Sequence, residues 1–213
     1  MWGIEPEELD PLVLSRVPIK IGYEDRYFDD KYQGIPKEGY NKLFLNILDH
    51  PNIQVNLKTN FKELTNLNQF ERIIYTGPID EYFDYRYGEL PYRSIRFKFV
   101  GKNTNLHQRV AVINYPSYDF QFTRSTEFKH ITHQKIKNTI LCQEYPEAYK
   151  PNFNLPYYPI LTKESEILYR KYKTESEKLK NRIIFLGRLG EFKYVNMDQA
   201  VARSLQVFNE KFI

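Results

Sequence analysis

Hydrophobic and polar positions change period along this chain, and the changes divide it into helical and extended stretches. From Gly39 to Asp49, Tyr40, Leu43, Phe44, Ile47 and Leu48 fall at i, i+3, i+4, i+7 and i+8. That spacing places them on one face of an α-helix, which His50-Pro51 should end. Ile53, Val55 and Leu57 then alternate with polar residues, as a half-buried strand does. The apolar run Arg72-Ile73-Ile74-Tyr75-Thr76 stops at Gly77-Pro78 and reads as a buried strand and its turn. Ile95, Phe97 and Phe99 alternate, residues 109–115 form a nearly unbroken apolar run, and residues 118–130 and 139–145 have similar character. Several strands at such short spacing predict an antiparallel sheet.

The period lengthens again from Thr162 to about Leu179, where Thr162 offers an N-cap and Glu164 and Glu166 suit the positive end of the helix dipole. Ile183-Ile184-Phe185-Leu186 reads as a strand and Gly187-Arg188-Leu189-Gly190 as a turn. Asn196, with Gln199 three residues on, forms a capping-box pattern before a helix carrying Met197, Ala200, Val201, Leu205 and Phe208 on one face. Strand, glycine turn and helix N-terminus together suit an anion or a cofactor. Residues 1–36, punctuated by Pro6, Pro11, Pro18 and Pro36, predict turns and short pieces. The expected fold is therefore of the α/β class, α+β in arrangement. An antiparallel sheet over about residues 80–145 is flanked by helices near 39–49, 162–179 and 196–208. The strands at 72–76 and 183–187 lie apart from it.

Composition narrows the chemistry. The 213 residues include one cysteine, Cys142, which pairs with nothing in this chain and makes a reducing cytoplasm the default location. No apolar run is long enough to span a membrane, and no secretion signal opens the chain. The net charge of +4 fits an anionic ligand and also weak nucleic-acid binding, but basic and acidic residues are well mixed, with no dense basic stripe. Aromatic residues make up 16%, with 18 tyrosines, a side chain that suits sugars, bases and phosphates as well as sheet faces. Only His130 and His133 of the four histidines are close in sequence, and no Cys, Asp or Glu joins them at metal-ligand spacing. The chain has no phosphate-binding loop, no nucleophile elbow and no Gly-x-Gly-x-x-Gly after a strand. Arg16, in Ser15-Arg16-Val17-Pro18, and Arg124, in Phe122-Thr123-Arg124-Ser125, could clamp a diphosphate if the fold brings them together.

Longer blocks carry a resemblance. Ser15-Arg16-Val17-Pro18, Tyr27-Phe28-Asp29-Asp30 through Tyr32-Gln33-Gly34-Ile35-Pro36, and Gly39-Tyr40 form one block. Tyr75-Thr76-Gly77-Pro78-Ile79-Asp80-Glu81-Tyr82-Phe83-Asp84 forms another. Asn114-Tyr115, Thr123-Arg124, Glu127-Phe128-Lys129-His130, Pro156-Tyr157-Tyr158-Pro159 and Gly187-Arg188-Leu189-Gly190 follow in order. With these blocks the chain resembles the C-terminal part of a UDP-galactopyranose mutase over nearly its whole length.

The resemblance implies an isomerase that interconverts UDP-galactopyranose and UDP-galactofuranose through a flavin N5–galactose adduct, with reduced FAD as cofactor. It implies that Arg16, on a mobile lid loop, and Arg124 hold the diphosphate as catalytic residues. Trp2 would lie near the uridine, Tyr27, Tyr157 and Tyr194 would reach the phosphates, and Asn114 would lie near the nucleotide. Arg188 and the backbone at Asn196 and Met197 would meet the flavin. Many members are expected to have aspartate where Asn196 stands, so a negative charge is missing there. Residues 1–50 would be the remainder of the lid domain, 51–79 and 161–213 the FAD-domain side, and 80–160 the substrate domain. The strands at 72–76 and 183–187 would return to a Rossmann core whose glycine fingerprint this chain lacks. The flavin half would then come from a separate N-terminal polypeptide or belong to a longer form of this chain, or the chain would be a non-catalytic remnant of a truncated gene. The complete enzyme could pair as a homodimer, and neither nucleic acid nor membrane is an expected partner.

Overall fold

Two sheets organise the computed structural model, which describes residues 2–14, 20–23 and 26–213. Its helices are α1 (Pro11–Leu14), α2 (Gly39–Leu48), α3 (Ile79–Tyr82), α4 (Lys129–Thr132), α5 (Lys163–Lys178), α6 (Gly187–Gly190) and α7 (Met197–Phe212). Its strands are β1 (Ile73–Tyr75), β2 (Tyr92–Lys102), β3 (Val112–Asn114), β4 (Arg124–Glu127), β5 (Thr139–Ala148), β6 (Tyr158–Pro159) and β7 (Ile183–Phe185). The larger sheet has the order β3-β4-β5-β2-β6; β1 and β7 form a separate parallel pair with Ile73 opposite Ile183 and Tyr75 opposite Phe185. The expected mixed class, with an antiparallel sheet and two strands apart from it, is what is found.

The chain divides into two compact units. One comprises Met1–Pro18, Phe70–Arg96 and Pro146–Ile213, the other Ile19–Gln69 and Phe97–Tyr145. In the first, α3, the start of β2 and α5 enclose a core of Ile79, Phe83, Leu90, Tyr92, Tyr172 and Phe192. Tyr172 is fully buried with its polar end satisfied: its hydroxyl donates to the Gly88 carbonyl at 2.6 Å and accepts from the Tyr87 amide at 3.1 Å. Asp80 is equally buried, and its Oδ2 accepts from the Leu90 amide at 2.8 Å. Thr162 caps α5 as expected, and Ser165 returns the hydrogen bond to the Thr162 amide at 2.9 Å. Glycine is needed where the parallel pair turns. A Cβ at Gly77 would stand 2.6 Å from the Tyr75 hydroxyl, and one at Gly190 3.0 Å from the Tyr75 carbonyl oxygen.

In the second unit, β3, β4 and the start of β5 pair antiparallel, and a buried carboxylate ties the adjoining turn to them. Glu127 has no exposed surface; its oxygens accept from the amides of His107 at 3.0 Å and Gln108 at 2.7 Å. Gln108 in turn donates to the Ser125 carbonyl at 3.3 Å.

Several expectations need correction. Residues 53–57 form no strand, and Ile53, Val55 and Leu57 are exposed. Alternation supplies a face, but a strand also needs a neighbouring backbone to complete its hydrogen bonds, and none pairs there among the described residues. The run 109–115 pairs only over β3, and 118–130 contributes only β4 before turning into α4. Gly187–Gly190 is a helical turn, α6, and α7 extends to Phe212. The two-residue strand β6 was not anticipated. The apolar faces of α2 and α7 stay largely uncovered: Phe44, Ile47, Met197, Val201, Leu205 and Phe208 are each about half exposed or more. No described helix is long and apolar enough to cross a membrane.

Candidate functional site

In the first unit the segment before β6 and the loop between α6 and α7 are held together by one side chain. Arg188, on α6, donates from one guanidinium nitrogen to the Tyr157 carbonyl at 3.0 Å and from another to the Val195 carbonyl at 2.6 Å. Its plane lies over the rings of Tyr158, 4.9 Å to the centroid, and Tyr194, 5.5 Å. Trp2 meets both rings edge-on, 6.0 Å from Tyr158 and 5.4 Å from Tyr194, and the two tyrosines pack edge-on at 5.4 Å. The result is an aromatic box of Trp2, Tyr158 and Tyr194 around a fixed guanidinium. Arg188 forms no ion pair among the described residues, so its positive charge stands beside π faces and carbonyls. Such a charge suits an anionic or electron-rich planar ligand.

Trp2, Arg188 and Tyr194, which the resemblance assigns separately to the uridine, the flavin and the phosphates, lie in one cluster here. Tyr157 adjoins them through its backbone, its amide donating to the Arg93 carbonyl at 2.8 Å. Tyr158 was quoted in its motif but assigned no role. The PYYP segment pairs with β2, Arg93 opposite Tyr158, and only that register shows which tyrosine faces Arg188. Asn196 stands at the N-cap of α7, where its amide donates to Gln199 Oε1 at 2.8 Å, completing the expected capping box. Met197, the next residue, is exposed. The capped sixteen-residue helix α7 begins beside Arg188, an arrangement that suits an anionic group.

In the second unit, strand register builds another cationic position. Arg124 lies opposite Asn114 on one side and Glu144 on the other. Directly paired residues share a sheet face. Arg124 Nε donates to Asn114 Oδ1 at 3.2 Å, and its guanidinium lies 3.7 Å from Glu144. The side chain keeps 42% of its surface exposed, so the two partners aim it while leaving donors for a ligand. Asn114 and Arg124 were expected; Glu144 was missed, because nothing in the sequence aligns β4 with β5. Tyr27, in the same unit, packs edge-on against Phe28 at 4.7 Å and is more than half exposed. Arg16 lies outside the described residues.

Comparison with known proteins gives a consistent result. The family model for UDP-galactopyranose mutase matches residues 1–194. A probable UDP-galactopyranose mutase from Klebsiella pneumoniae is 38% identical over 98% of this chain and 54% of its own length. A dTDP-fucopyranose mutase from Escherichia coli is 33% identical over 96% of this chain and 55% of its own. A UDP-galactopyranose mutase from Mycoplasma pneumoniae is 36% identical, again over 96% of this chain and 55% of its own length. The chain therefore spans about half the length of the curated relatives it matches. Among solved structures, a crystal structure of reduced UDP-galactopyranose mutase superposes with a TM-score of 0.51 over 66% of this chain and 42% of that one. At 15% identity, that likeness speaks to the fold alone.

Proposed function

Since this chain belongs to the UDP-galactopyranose mutase family, we propose that it forms the nucleotide-sugar side of an isomerase interconverting UDP-galactopyranose and UDP-galactofuranose. The observation that carries this reading is the pair of prepared cations: Arg188 inside its aromatic box, and Arg124 aimed by Asn114 and Glu144. The reaction needs a leaving diphosphate to be held and an anomeric carbon to be placed, which are tasks of positioning and charge stabilisation. FAD, when bound in reduced form, supplies the nucleophile toward that carbon. Arg188, with the backbone at Asn196 and Met197, would hold the flavin edge.

Arg16 and Arg124 are assigned to the diphosphate, from opposite sides. Trp2 is assigned to the uracil side, Tyr27, Tyr157 and Tyr194 to the phosphates, and Asn114 to the nucleotide. Residues 1–50 would then be lid, 80–160 substrate domain, and the stretches around β1 and β7 the FAD side. The uncovered faces of α2 and α7 fit packing against a flavin-binding half, so the 213-residue chain by itself should not retain FAD. An absorbance spectrum of the purified chain with added FAD tests that directly: a stoichiometric, retained flavin band would contradict it.

The decisive experiment is steady-state kinetics in the enzyme reconstituted with its flavin half. Arg16→Ala and Arg124→Ala should each lower turnover or affinity about ten- to a hundred-fold, and lysine should restore only part, because a point charge lacks the guanidinium fork. Near-wild-type rates for both alanine variants would overturn the assignment. Assays with UDP-galactose and dTDP-fucose side by side settle the substrate, since a relative named for the second sugar matches the chain as fully as the others.

A further inference from the structure

A cavity of about 710 Å³ opens in the second unit beyond the end of β4, apart from Arg124 and every residue assigned above. Its wall includes Asn105, Lys129, His130, His133, Lys135 and Lys137, and no aspartate or glutamate lines it. The floor is unusual. Lys129 is only 9% exposed, and its ammonium donates to the Asn105 carbonyl at 2.9 Å, to Asn105 Oδ1 at 2.7 Å, and to the Ile136 carbonyl. All three acceptors are neutral, and Lys129 forms no ion pair among the described residues. The neighbouring carboxylate, Glu127, is turned to other partners: the amides of His107 and Gln108, with the His130 ring 3.5 Å away. A buried cation held only by neutral groups projects its field into the adjoining space, and an anion there offsets the cost of its burial.

We propose that this cavity binds a soluble phosphate or diphosphate anion, gripped by Lys135, Lys137 and His133 at the rim above the fixed charge of Lys129. The three Lys129 protons are already engaged, so it contributes field, while the exposed rim lysines contribute the hydrogen bonds. The volume is in the range of small-ligand sites, and the cationic wall without a carboxylate selects for negative charge over neutral sugars.

The test is calorimetric titration of inorganic pyrophosphate into the 213-residue chain carrying Arg124→Ala. That background removes one anion position of the proposed mutase reading, and the paired reversal of Lys135 and Lys137 distinguishes this cavity from the positions at Arg16 and Arg188. Binding should persist in it, weaken by about ten-fold or more when Lys135→Glu and Lys137→Glu are added, and stay unchanged when Lys173→Glu, on the exposed side of α5, is added instead. No binding in the Arg124→Ala background would overturn the proposal, as would undiminished binding after the paired charge reversal, or an equal loss from Lys173→Glu.

Discussion

Asp80 and Glu127 are both fully buried carboxylates, one in each unit, yet their surroundings drive them in opposite directions. Burial, with the Glu81 charge adding to the rise, pushes Asp80 from its ordinary 3.8 to about 6; the Leu90 amide on its Oδ2 and the amides of Asp80 and Glu81 pull it back only in part. Its other oxygen lies 3.5 Å from the Tyr92 hydroxyl, too far for much help. Burial pushes Glu127 up as well, but the nearby Thr139 hydroxyl, the amides of Gln108 and His107 and the His130 ring together outweigh it, and the carboxyl ends below its usual range. Burial alone therefore does not decide the charge of a core carboxylate. The balance of desolvation, donors and neighbouring charge does, with Glu81 opposing ionisation beside Asp80 and His130 favouring it beside Glu127.

The sharpest way to break this contrast is Glu127→Ala, which strands the buried Gln108 amide and the partly buried His107 amide; it should cost about 3 kcal/mol. Hydrogen exchange would read it as lost protection at the Gln108 amide, with the Leu90 amide in the other unit as reference. Unchanged protection at Gln108 would mean that the carboxylate is not what holds the turn.

Asp80→Asn probes the opposite case through pH. The folded protein holds the Asp80 proton more tightly than the unfolded chain does. Its contribution is therefore fully present below about 3.8 and is lost as pH rises through about 6. Asparagine still accepts from Leu90 but does not ionise. The variant should gain about 1–3 kcal/mol relative to wild type between about pH 4 and pH 8, as measured by denaturant melts. Parallel profiles for the two proteins would remove the claim that Asp80 titrates in the core. For Glu127 the sign reverses: its stabilisation is present above the ordinary carboxylate range and is lost as pH falls through its depressed value.

Two smaller changes sharpen the comparison. His130→Ala removes the ring's 3.0 Å hydrogen bond with the Gln108 carbonyl and its 3.5 Å approach to Glu127, and should cost about 1 kcal/mol at the same Gln108 amide. Tyr92→Phe removes only the distant hydroxyl and should change stability by less than about 0.5 kcal/mol. A larger loss would show that the 3.5 Å contact matters more than its length implies.

Local signals were legible in the sequence where a few neighbouring residues suffice. Thr162 and Asn196 start their helices as their side chains dictate, and the runs at β1 and β7 pair as strands. What depends on register or on distant partners was not. Whether Arg124 faces Asn114 and Glu144 is set by how β3, β4 and β5 align, and the turns between them carry no sharp signal. Trp2 reaches Tyr158 and Tyr194 across most of the chain's length, and neither the pattern nor the resemblance placed those three side chains together. The alternation of Ile53, Val55 and Leu57 misled because pattern specifies a face and not a pairing partner.

The parallel pair β1–β7 carries a consequence for synthesis. Strand β7 leaves the ribosome only after the five-stranded sheet and α5 have been made. At about 5–20 residues per second, the intervening hundred or so residues take on the order of ten seconds. Throughout that interval Ile73–Tyr75 lacks its partner β7, and its contacts have high sequence separation, which slows closure further. Phe192 of the α3–α5 core follows β7 as well, so the nascent chain must keep an apolar strand out of the wrong company until both have been made.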